Sequence, residues 1–109
     1  MADSLVSLCL TADLPENTVK RFEVNDRGLA AYNVDGQFYV TDDECTHGAA
    51  ELSQGVLDGE LIECPMHFGA FDVRTGQAVQ APCFTPVRTY KVFVRDDQVF
   101  VDMEKTAAD

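Results

Sequence analysis

Both histidines of the chain stand close behind a cysteine, in Cys45-Thr46-His47 and Cys64-Pro65-Met66-His67, with sixteen residues between His47 and Cys64. Thiolate and neutral imidazole are the soft and borderline donors that bind iron and zinc, so two such pairs point to four metal ligands from two loop tips. Ligand order then discriminates between metals. Structural zinc usually draws a Cys pair from one knuckle and a His pair, or second Cys pair, from another. Here each loop supplies one of each. A two-iron, two-sulfide cluster needs that division when one iron sits on two thiolates and the other on two imidazoles. Cys45 and Cys64 are then candidate ligands of one iron, and His47 and His67 of the other. A zinc-stabilised interaction module is the alternative. A nucleophilic cysteine needs only one His and leaves the second pair without a purpose.

The elements that must position these loops read as strands. The chain has 109 residues, enough for one domain spanning 1–109. Asp35-Gly36 between 29–34 and 37–41 is a strong hairpin signal, because Asp-Gly tolerates the positive φ of a type I′ turn. Asp58-Gly59, Thr75-Gly76 and Asp96-Asp97 divide later strand-length pieces, and 5–11 and 18–24 read as two more strands around a loop at 13–17. Val, Ile, Phe, Tyr and Thr dominate these pieces, and no window of a dozen residues sustains a helical period. The expected class is all-β, an antiparallel β sandwich framework. A loop-rich segment, about 42–86, is inserted in it and carries both His, three of the four Cys and three of the four Pro. Residues 104–109 read as a flexible tail.

Composition bounds the partners. With 8 Lys+Arg against 19 Asp+Glu the net charge is −11. Such a surface repels phosphate backbones and anionic lipid, which argues against nucleic-acid and membrane binding and favours partners with a basic face. The first ten residues lack Lys and Arg, so a secretion signal is not expected and the cytoplasm is the expected compartment. Thiols stay reduced there, which places metal binding or burial ahead of disulfides for the four cysteines.

The chain resembles the Rieske-type [2Fe–2S] ferredoxins that serve bacterial aromatic-ring-hydroxylating dioxygenases. The resemblance is carried by Cys45-Thr46-His47-Gly48, Leu52-Ser53, Gly55, Gly59 and Ile62-Glu63-Cys64-Pro65-Met66-His67. It continues through Phe71-Asp72, Thr75-Gly76, Pro82 and Pro86-Val87. The resemblance implies the Rieske iron–sulfur fold and one [2Fe–2S] cluster on Cys45, His47, Cys64 and His67. It also implies a monomeric one-electron carrier rather than an enzyme. Its partners would be a flavoprotein ferredoxin reductase fed by NADH and a terminal oxygenase acting on an aromatic compound. A Rieske subunit bound permanently to another oxidoreductase is the other reading. High-potential relatives add a bridged Cys in each loop, at the positions of Ala50 and Met66 here, and hydroxyl donors where Phe68-Gly69-Ala70 stands. Their absence points to a potential near the bottom of the Rieske range, about −150 mV. In the family the two His edges face solvent, so His47 and His67 are the expected route for the electron.

Other residues carry weaker signals. Gly48 and Gly69 follow ligands closely, either to let backbone approach sulfur or to supply φ > 0. Pro65, Pro82 and Pro86 stiffen loops or merely punctuate them. Asp42-Asp43-Glu44 reads as a solvated acidic surface or as a docking rim. Cys9 reads as a small buried apolar residue. Cys83 falls in the segment that packs over the cluster in the family and is expected not to ligate. Phe68 and Phe71 are expected to shield the thiolate-bound iron.

Overall fold

Residues that tolerate a left-handed backbone set the corners of this chain. The structure is a computed structural model and describes residues 5–46, 50–65 and 69–108. Its strands run β1 (Leu5–Leu10), β2 (Thr18–Val24), β3 (Arg27–Val34), β4 (Gln37–Asp42), β5 (Val56–Asp58), β6 (Leu61–Glu63), β7 (Ala70–Asp72), β8 (Ala78–Gln80), β9 (Thr89–Arg95) and β10 (Gln98–Asp102). Asp35 and Gly36 (φ 51° and 93°) turn β3 into β4, and Asp96 and Asp97 (φ 53° and 63°) turn β9 into β10. Paired positive φ values give the type I′ twist that matches paired strands. Asn25 and Asp26 (φ 53° and 64°) do the same between β2 and β3, so β3 begins two residues before the sequence reading starts it. That corner lacks the glycine that usually marks one.

Two antiparallel sheets result, one of six strands in the order β1-β10-β9-β4-β3-β2 and one of four in the order β5-β6-β7-β8. The smaller sheet lies in sequence between β4 and β9. Those two strands pair directly, Val40 with Tyr90 and Thr41 with Thr89, so the excursion between them leaves from and returns to neighbouring strands. Two three-residue 3₁₀ turns, Thr11–Asp13 and Leu52–Gln54, are the helical elements among the described residues.

Strand β3 is buried on both faces and divides the interior. Alternate side chains point opposite ways along a strand. Leu29 and Ala31 join one core with Leu14, Val24, Val40, Tyr90 and Val101. Ala30, Tyr32 and Val34 join the other, with Leu52, Ile62, Phe71, Val73 and Val87. The second core also holds Cys45, Cys64 and Cys83. Cys9 packs against the first core, away from the other three, but is half-buried and not fully buried as the sequence suggests.

The closing segment makes contacts of its own. The Lys105 carbonyl accepts from the Lys91 N–H at 3.0 Å, and the Ala107 N–H donates to Thr89 Oγ1 at 3.0 Å. Both bonds tie it to β9.

Candidate metal centre

Cys45 and Cys64 begin two loops that are closed in the same way. Glu44 bridges Glu51, and one step inside that bridge the Cys45 N–H donates to the Ala50 carbonyl at 2.8 Å. Glu63 pairs with Ala70 where β6 meets β7, and one step inside that pair the Cys64 N–H donates to the Gly69 carbonyl at 2.6 Å. Each cysteine therefore stands at the same place in a hairpin neck, with four residues beyond it in the loop. His47, Gly48, His67 and Phe68 belong to those four-residue stretches and lie outside the described residues.

The two thiols are 3% and 1% exposed, and neither is in a disulfide. Leu52, Ile62, Phe71, Val73 and Val87 pack in the same core, and Phe71 is fully buried, as its expected shielding role requires. A third loop completes the enclosure. Thr46 Oγ1 donates to the Thr85 carbonyl at 2.7 Å, and Cys83 Sγ lies 3.9 Å from Cys45 Sγ. Gly69 is needed for this approach. A Cβ there would sit 2.4 Å from Cys83 Sγ and 3.0 Å from its backbone nitrogen. Its φ is not in the left-handed region, so close packing and not turn geometry accounts for this glycine.

Burial, reinforced by the neighbouring Cys45 sulfur, pushes the Cys83 thiol up to about 12. Among the described residues no three His, Cys, Asp or Glu side chains gather as a metal site. Two buried thiols from equivalent positions in two necks fit the thiolate end of a two-iron cluster: they are soft donors, paired in number and shielded from water.

The sequence reads Asp43 as part of a solvated acidic surface or a docking rim, and the structure corrects both readings. Asp43 is buried. One carboxylate oxygen accepts from Arg21 Nε at 3.0 Å and the other from the Ser53 N–H at 2.8 Å. Its backbone joins in, its N–H donating to the Gly28 carbonyl at 3.0 Å and its carbonyl accepting the Leu52 N–H at 2.6 Å. Asp43 thus fastens the first loop to β2, β3 and the 3₁₀ turn. Nothing local in the sequence separates it from exposed Glu44. Asp42 is half-buried and accepts from the Tyr90 hydroxyl, while Arg27 donates to that same hydroxyl at 3.0 Å. These charges line a cleft with Arg21, Asp26 and Glu51 beside the first loop.

The Rieske [2Fe–2S] domain family matches residues 4–91 of this sequence. The chain belongs to that family. As a Rieske protein it carries one Rieske-type [2Fe–2S] cluster. It is 45% identical to Ferredoxin CarAc of Metapseudomonas resinovorans over 92% of this chain and 94% of that one. It is 48% identical to the ferredoxin component of the p-cumate 2,3-dioxygenase system of Pseudomonas putida, covering 91% of this chain and 86% of the relative. Its fold superposes, with a TM-score of 0.89 and 43% identity, on a chain in the complex of reduced oxygenase and oxidised ferredoxin of carbazole 1,9a-dioxygenase. The match covers 94% of this chain and 96% of that one. The relatives are carriers within oxygenase systems and not the oxygenases themselves. No helix among the described residues is long and apolar enough to cross a membrane.

Proposed function

We propose that Cys45 and Cys64 ligate one iron and His47 and His67 the other. The protein then passes single electrons from an NADH-dependent flavoprotein reductase to a terminal oxygenase that acts on an aromatic compound. The matched necks carry this reading, because they place two buried cysteines at equivalent points of two loops that each also contain a histidine in sequence. The names of its relatives support the oxygenase as electron acceptor.

When bound, the cluster supplies reversible one-electron chemistry, with the added electron favoured on the imidazole-bound iron because imidazole donates less charge than thiolate. The chain's own residues do the rest. Cys45 and Cys64 offer their sulfurs inside an apolar wall of Leu52, Ile62, Phe71 and Val87, which keeps water from the thiolate end. Thr46 latches the third loop over the first through the Thr85 carbonyl. His47 and His67 supply the imidazole end and the electron's route outward. Net charge of −11 keeps the carrier dispersed as a cytoplasmic monomer and draws it to basic faces on its partners.

Low-temperature EPR of the dithionite-reduced protein, with iron and sulfide analysis, tests the ligand set. Two irons per chain and a Rieske signal are expected, and each of His47→Ala, His67→Ala, Cys45→Ala and Cys64→Ala should lose that signal. An unchanged spectrum in any of the four removes that residue from the set. Reduction by a flavoprotein reductase and reoxidation by an oxygenase, followed by stopped-flow absorbance, tests the partners.

A further inference from the structure

We propose that Cys83 sets the reduction potential of the site by donating its S–H to the Cys45 sulfur, a role that rests on the ligand reading above. Cys83 is 3% exposed and its sulfur lies 3.9 Å from that of Cys45, within reach of an S–H···S contact. A ligating sulfur carries no proton and can only accept, whereas an ordinary thiol at neutral pH is protonated and can donate. The direction of the bond is thereby fixed.

Three features hold the donor in place. The Cys83 N–H donates to the Gln80 carbonyl at 3.2 Å, and the Val87 N–H donates to the Gly76 carbonyl at 2.8 Å, anchoring the third loop at both ends. Thr46 Oγ1 on Thr85 fixes its middle to the residue that follows Cys45. Gly69, lacking a side chain, leaves the space that Cys83 Sγ fills. This donor comes from a third loop, outside both ligand loops. A hydrogen bond to a ligand sulfur withdraws charge from it and favours the reduced state. Cys83 is a positioning residue for charge, not a ligand. Because S–H is a weak donor, its removal is expected to shift the electron-partition constant about threefold to tenfold towards the oxidised form. That is about 30 to 60 mV at 59 mV per tenfold for one electron.

The test is redox titration of wild-type, Cys83→Val and Cys83→Ser holoproteins, monitored by EPR. Val fills the space without a donor, and Ser keeps one. Both variants should assemble the cluster with the wild-type line shape. Val should titrate about threefold to tenfold lower, and Ser should stay within about threefold of wild type. An unchanged or raised potential in Cys83→Val overturns the proposal, as do equal shifts in Val and Ser, which would assign the effect to packing. Loss of the cluster from both Cys83 variants while Cys45→Ala keeps it would instead overturn the ligand reading.

Discussion

Arg21 Nε lies 3.0 Å from the carboxylate of Asp43, which is buried two residues before Cys45. The guanidinium is partly exposed, so the pair joins surface to interior at the root of the first loop. The carboxylate's other oxygen is the only acceptor seen for the Ser53 N–H among the described contacts. Asp43→Ala leaves the Ser53 N–H without that acceptor and the Arg21 guanidinium with Glu23 alone, and is expected to cost about 1–3 kcal/mol. Urea unfolding of the holoprotein, followed by loss of visible absorbance, measures it. Asp43→Asn keeps an acceptor for Ser53 and should lose less; an unmoved midpoint in Asp43→Ala would show that the tie contributes nothing.

Two glycines on either side of β5 should respond differently to alanine. A Cβ on Gly59 meets nothing within 4 Å, so only its left-handed backbone (φ +60°) opposes the change. That costs about 1–2 kcal/mol. A Cβ on Gly55 would lie 1.9 Å from the carbonyl oxygen of Glu63, the residue before Cys64. Backbone must move there, so Gly55→Ala is expected to cost about 3 kcal/mol or more and to lower iron content. Parallel unfolding curves and iron assays decide the ranking. Equal losses would contradict the close approach.

Alkaline pH should unfold the protein through buried tyrosines. Burial pushes the Tyr32 hydroxyl well above the usual tyrosine range, and burial with the neighbouring Asp42 carboxylate raises Tyr90. The folded state holds these protons after the unfolded chain has released them. Stability is therefore complete below about pH 10 and falls as pH rises from there. Tyr32→Phe removes one such group. It should flatten the decline above pH 10, while costing about 1 kcal/mol at neutral pH for the 2.8 Å bond between Tyr32 and Thr41 hydroxyls. Unfolding free energies measured across this range check the slope; an identical slope in the variant would exclude Tyr32 as its source.

Electron transfer with a partner should slow as salt rises. A field from a net charge of −11 is long-ranged only at low ionic strength. The Debye length falls from ~10 Å at 0.1 M to ~3 Å at 1 M, which screens steering while leaving a formed contact largely intact. Stopped-flow rates against salt give the test, and a flat profile would remove electrostatic steering from the account.

What could be read from the sequence was what neighbours in the chain determine. Asp35-Gly36 and Asp96-Asp97 announce their corners because backbone sign is a local property, and the two Cys/His pairs are visible because each pair sits in one loop. Asn25-Asp26 has the same paired positive φ values, but no break in the strand-forming run around it marks the corner as plainly. Burial of β3 on both faces could not be seen, since its second partner layer comes from strands far along the chain. Asp43 illustrates the limit most sharply. It sits between Asp42 and Glu44 in an acidic run, and only Arg21, Gly28 and Ser53, each from another element, make it interior. Gly69 was noticed for its proximity to His67, but its reason is Cys83, which sequence places fourteen residues away.

The twin necks turn loop length into a gauge. Each closure spans the same number of peptide units, from a cysteine amide to a carbonyl five positions on. An insertion inside either reach would break that amide–carbonyl tie and carry a sulfur out of step with its counterpart. The corner at Gly59 has open space around it, so the chain can lengthen there without disturbing the gauge.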